Sequence, residues 1–221
     1  MALTDFTFYT TEAGQEVALT STNPILGTSS LRVRRHTATG TNLACNGLRA
    51  APAERGFVRG RLRTALRLET HTGTIDHGLG LLCMQSQTNL SSGAGSAYGL
   101  MLRTSTTGGL IDSLRLLRYT AGLAAPTSNI LASYAVNLAL GTTVCLALEW
   151  RFDPGRNEIR LTGYFSPTFT FPTQPILPQV LTTVVTSGAL STSVGEGVGI
   201  FINGAGDHAS VFGETAYFGL V

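Results

Sequence analysis

The 221 residues include no lysine; all fifteen basic side chains are arginine. Charged residues make up only 13% of the chain, about half the usual share of a soluble domain. With glycine at 26 residues and 43% hydrophobic residues, the chain is neither disordered nor kept in solution by charge. Cysteine is scarce and odd in number: Cys45, Cys83 and Cys145, with no CxxC pair. That excludes a disulfide framework and a cysteine-based zinc site. Cys83 (GLGLLCM) and Cys145 (TTVCLALEW) lie in apolar runs, as buried free thiols do. The opening MALTDFTFYTTEAGQE lacks a basic start and an apolar stretch, so it does not read as a secretory signal. No run reaches the length of a membrane span. The expectation is a protein made in a cytoplasm and kept off the membrane, which makes the Asn89-Leu90-Ser91 sequon accidental.

Helical periodicity is nearly absent too. What recurs is alternation of apolar and polar residues between Gly, Pro, Asn and Asp clusters, the mark of short strands. Phe6 and Phe8 open a first strand. SLRVRRH (30–36) alternates, as does GFVRGRLRTALRLET (56–70). HGLGLLCMQS (77–86) is more continuously apolar, which suits a strand covered on both faces. SAYGLMLRT (96–104) and SLRLLRYT (113–120) flank a glycine-rich connection. ILASYAV (130–136) is ambiguous. TTVCLALEWRF (142–152) puts Val144, Leu146, Leu148, Trp150 and Phe152 on one face and Cys145, Ala147, Glu149 and Arg151 on the other. Trp150 therefore belongs in the core. DPGRN (153–157) is a tight turn, and EIRLTGYF (158–165) pairs back as the second arm of a hairpin.

Four of the eight prolines fall at 167, 172, 175 and 178. Proline cannot donate to a strand ladder, so residues 166–197 read as an edge or a long surface arm. Within them LTTVVTS (181–187) is a short strand or a segment that pairs with another subunit. VGIFING (198–204) and ASVFGETAYFGLV (209–221) close the chain as strands. No repeat and no linker appears, which predicts one domain over residues 1–221.

The order of these segments resembles the concanavalin A-like lectin and laminin-G-like jelly-roll superfamily. It runs GTSSLRV, FVRGRLRT, GLGLL, YGLMLRT and LRLLRYT, then the GTTVCLALEWRF hairpin and GVGIF. The resemblance implies an all-β fold: a two-sheet antiparallel β-sandwich with the terminal strands side by side. Alternating strands, each with one dry face, independently need a second sheet to cover them.

Glycosidases of that superfamily carry two glutamates and an aspartate alternating on one strand. Glu69 with Asp76, and Glu149 with Asp153, lack that spacing. Glu149, beside Arg151 on one strand face, reads as half of a structural ion pair. His71, Asp76 and His77 match no familiar ligand spacing and read as a solvated loop. Asn203, Asp207 and His208 offer one carboxylate, thin support for calcium. No GxSxG setting and no phosphate-binding glycine loop is present. The sequence thus implies no catalytic residues, no metal and no cofactor.

Arg59, Arg61, Arg63 and Arg67 fall at odd positions of one strand, so all four share a sheet face. Residues 32–67 hold nine arginines against Glu54, while 1–31 and 161–221 hold three acids each and no base. The stripe reads as a solvated face or as a protein interface meeting the acidic ends of another copy. Nucleic acid ranks third: net charge is only +2 and few aromatics interleave. A GC-rich coding sequence is the favoured account of the all-arginine composition, ahead of any need for arginine's planar fork at interfaces.

Jelly rolls of this composition look like bacteriophage virion proteins. The resemblance implies a non-enzymatic structural protein: capsid decoration, collar, tail or fibre. Its partners are other copies of itself and other virion proteins, met through the four arginines, and its place is the virion. The alternative is a carbohydrate-binding, lectin-like module that meets a host surface glycan.

Overall fold

A computed structural model of the chain describes residues 7–10, 15–25, 30–35, 43–49, 59–71, 77–85, 96–104, 110–120, 128–153, 155–156, 158–167, 179–186, 197–204 and 208–219. Every regular element among them is a strand. They are β1 (Thr7–Thr10), β2 (Gln15–Thr20), β3 (Ser30–Arg35), β4 (Leu43–Arg49), β5 (Arg59–His71), β6 (His77–Gln85) and β7 (Ala97–Thr104). Then follow β8 (Leu110–Tyr119), β9 (Ser128–Ala139), β10 (Thr143–Asp153), β11 (Glu158–Ser166), β12 (Gln179–Thr186), β13 (Gly197–Gly204) and β14 (His208–Gly219).

The strands form two seven-stranded sheets, antiparallel throughout. Sheet A has the order β1-β4-β13-β6-β7-β8-β9, and sheet B the order β12-β11-β10-β5-β14-β3-β2. The two-sheet sandwich expected from the alternation is present. The terminal strands, however, are not side by side. β1 pairs with β4 at the edge of sheet A, while β14 lies between β5 and β3 inside sheet B. The short β1 completes the other sheet, and β2 and β3 take the place beside the last strand.

The core lies between the sheets. Leu62, Leu66, Val144, Leu146, Leu148, Trp150, Ile159 and Leu161 face it from sheet B; Leu79, Leu81, Leu100, Leu102, Leu114, Leu116 and Ile200 face it from sheet A. Burying each large aliphatic side chain contributes about 1.5–3 kcal/mol. Trp150 is 2% exposed, the place its strand parity predicts. It fits because its partner in β5 is Gly60: a Cβ there would stand 2.6 Å from the indole Cζ2. Sheet A also buries apolar side chains on its other face. Leu82, Ala97, Met101, Leu117, Tyr119 and Phe201 cluster there, with Tyr119 and Phe201 edge to face at 5.8 Å. The described part of the continuous run at 77–86 is β6: Leu79, Leu81, Cys83 and Met84 belong to the central core and Leu82 to the second cluster.

Part of the proline-rich range is sheet: β12 pairs with β11 along the edge of sheet B. Residues 168–178 and 187–196 lie outside the described residues, as do 72–76 and 205–207 of the two histidine-bearing loops. Cys83 and Cys145 are free, buried thiols.

Candidate binding face

The outer face of sheet B carries the arginine stripe. Gly60 and Leu62 turn inward, so Arg59, Arg61 and Arg63 turn outward. On β10, Glu149 and Arg151 alternate with inward Leu148, Trp150 and Phe152. On β11, Arg160, Thr162 and Tyr164 alternate with Ile159 and Leu161. The face is therefore a grid, and the pairing register defines its rows.

One end of the grid is closed. Arg67 is only 7% exposed. Its guanidinium donates to Glu69 Oε1 at 3.0 Å and to the carbonyl of Asn23 at 2.6 Å. Asn23 sits in the left-handed region (φ 50°), where asparagine is among the residues best tolerated. Glu69 also meets Arg32 at 3.5 Å. Beside Arg67, Ala65, Cys145 and Ala147 form a small buried cluster with Ile25 and Tyr164 packed against it. Burial pushes the Cys145 thiol up to about 11, against the opposing pull of the Arg63 charge.

The middle row is an ion pair under an aromatic ring. Arg61 and Glu149 are register partners. Arg61 Nε donates to Glu149 Oε2 at 2.9 Å, and Nη2 donates to the same oxygen. The Tyr164 hydroxyl donates to it at 3.4 Å, and the Arg61 guanidinium lies 5.2 Å from the Tyr164 ring centroid. Burial, then the Glu149 charge, raises the Tyr164 hydroxyl above its ordinary value; Arg61 opposes them. Glu149 is thus in an ion pair as expected, but its partner is Arg61. Arg151 is two residues along the same strand, whereas Arg61 is directly opposite, where side chains meet most closely.

The other end is open and basic. Arg59 pairs in register with Arg151, and Arg151 with Arg160. Three arginines stand abreast on three neighbouring strands, with Arg151 and Arg160 exposed and Arg59 half-buried. Like charges directly opposite are unfavourable. Among the described residues none of the three has a carboxylate within 4.0 Å. Beyond the row a depression of about 290 Å³ is lined by Arg151, Asp153, Arg156, Glu158 and Arg160. Asp153 is engaged there by the turn: its Oδ1 accepts from the amides of Gly155 (2.9 Å) and Arg156 (3.2 Å).

The four arginines singled out by parity thus share one strand but not one environment. Arg67 is buried, Arg61 is ion-paired, Arg63 lies between them, and Arg59 joins a row that alternation within one strand cannot show. Arg151 and Arg160 were within reach of the sequence. The hairpin turn places Asp153 opposite Glu158, and two residues further Arg151 must oppose Arg160.

No protein-family model and no curated protein matches the sequence. Solved structures do match its fold. The Emp46p carbohydrate recognition domain aligns at 13% identity and a TM-score of 0.55, covering 99% of this chain and 90% of that one. This chain has the concanavalin A-like lectin fold. The same lectin-like sandwich is seen in a Lotus tetragonolobus seed lectin, at 8% identity and a TM-score of 0.51 over 99% of this chain and 94% of the lectin. A carbohydrate esterase from the Shiga toxin-encoding bacteriophage phi24B shares it at 10% identity and a TM-score of 0.51, over 93% of this chain and 88% of that one. At these identities the likeness is one of fold.

Proposed function

We propose that the protein is a non-catalytic glycan-binding module that serves as an attachment component of a bacteriophage particle. The observation that carries this reading is the lectin-like sandwich itself, which spans nearly the whole chain and leaves one sheet face open at its basic end. The phage-encoded esterase of the same fold supports the particle context. Absence of catalysis is supported by the two carboxylates in the middle and at the closed end of the face. Glu149 is occupied by Arg61 and Tyr164, and Glu69 by Arg67 and Arg32. Neither is left as the free member of an acid–nucleophile pair. A glycan array, with and without calcium, tests the reading. Binding to a defined glycan class without its hydrolysis or deacetylation is expected; turnover of the bound glycan would refute the non-catalytic part, and silence across the array the whole.

A second reading is a virion structural protein that docks on copies of itself or on other virion proteins through Arg59, Arg61 and Arg63; Arg67, expected to join them, is buried against Glu69 and Asn23 and faces no partner. The uneven charge favours it, since a basic strand and acidic ends complement each other between copies. Light scattering separates the two. A defined oligomer that falls apart on Arg59→Glu with Arg63→Glu, together with a silent array, selects assembly; a monomer that binds glycan selects attachment.

A further inference from the structure

We infer that the ligand of the open face is an acidic polysaccharide, held by the row Arg59–Arg151–Arg160. This rests on the glycan-binding reading above and names the class of glycan. The three arginines leave the sheet abreast because of two independent pairings, β5 with β10 and β10 with β11. Neighbouring strands lie about 4.8 Å apart, so the row presents one positive charge at each such step. That step is comparable to one pyranose in an extended chain, so a polymer with an anionic group on every sugar meets the row charge for charge. Arginine's planar fork fits carboxylate and sulfate oxygens two at a time.

The surroundings agree in sign. Arg156 adds a fourth cation at the rim of the depression. The acids there are Asp153, held by the turn amides and 4.0 Å from Arg156, and Glu158. Four arginines against two carboxylates leave the open end positive. One step up the face, Glu149 is already neutralised by Arg61. Nucleic acid fits less well, because net charge is only +2 and Tyr164, the aromatic side chain described next to the row, is already packed against Arg61.

The test uses the whole protein and three probes: polygalacturonate for carboxylates, dextran sulfate for sulfates, and unmodified dextran. Binding to one or both charged polymers and not to dextran is expected by isothermal titration, weakening steadily as NaCl rises. Arg151→Gln with Arg160→Gln is expected to weaken that binding at least tenfold with an unchanged circular dichroism spectrum. Arg151→Lys, which keeps the charge and loses the fork, is expected to fall between. If neither charged polymer binds while a neutral glycan on the array does, this inference is overturned and the glycan-binding reading survives. If no glycan of any kind binds, both fall. Undiminished binding by the double variant also overturns the inference, because the charged polymer then sits elsewhere.

Discussion

At the scale of the residue, Trp150 and Gly60 are one packing unit. Trp150→Ala removes the largest side chain of the core and is expected to cost about 3–5 kcal/mol. Gly60→Ala drives a methyl into the indole and is expected to cost about 1–3 kcal/mol. Urea unfolding of the pair together, with Trp150 shortened to Phe, should show less loss than the two single changes add up to. Arg151 behaves in the opposite sense. Replacing it by Thr removes a charge squeezed between two like charges and is expected to raise stability by up to about 1 kcal/mol at low salt, with the gain shrinking as salt is added. A residue whose removal stabilises the fold is kept for something other than folding. Cys145 sets a pH dependence. Its thiol titrates at about 11 in the folded chain and at 9.0 when unperturbed. Between those values the unfolded chain gives up its proton and the folded chain keeps it, so stability falls as pH rises. Cys83, Tyr119 and Tyr164 are raised as well and act with the same sign. Urea midpoints followed from pH 8 to 11 should decline, and the decline should be shallower in Cys145→Ala.

At the scale of the element, the β10–β11 hairpin holds the site's register. Asp153→Ala removes both amide contacts of the turn and is expected to lower stability by about 1 kcal/mol, read from the thermal midpoint. This hairpin was fully legible in the sequence: DPGRN gives the turn, and alternation gives both faces. Other strands were legible in part. β9 was ambiguous because its pairing with β8 slips twice, between Leu116 and Leu117 and between Ile111 and Ser113. Residues of both parities then reach solvent, Ile130 and Tyr134 on one side and Ser133 and Ala135 on the other, and no single alternation survives. β4 is hidden in the sequence because Asn46-Gly47 is a turn dipeptide, yet it pairs without interruption between β1 and β13. β2 is short and carries only Val17, Ala18 and Leu19 as apolar residues. In each case the neighbouring strands impose a state that the local residues only weakly prefer.

At the scale of the whole molecule, the sandwich was legible because every strand must hide one face, a constraint that holds without knowing the strand order. The candidate face was legible only as one of its columns. Its rows join β5 to β10, nearly ninety residues apart in sequence, and no alternation within a strand reveals which side chains end up abreast. The partition of the stripe was hidden for the same reason. Arg67 is covered by the segment at Asn23–Ile25, and Arg61 is claimed by Glu149. Among the described residues, the row at the open end has no carboxylate partner to claim it.

The placing of β13 and β14 bears on how the protein is made. Among the described strands β13 alone bridges β4 and β6, and β14 alone bridges β3 and β5. Without β13 sheet A is two separate ribbons with bare edges, and without β14 so is sheet B, so a nascent chain is expected to wait for its late segments before both sheets can close. A version stopped at residue 196 should therefore emerge with no cooperative melt and collect in the insoluble fraction, and chaperones that shield strand edges should raise the yield of the intact protein.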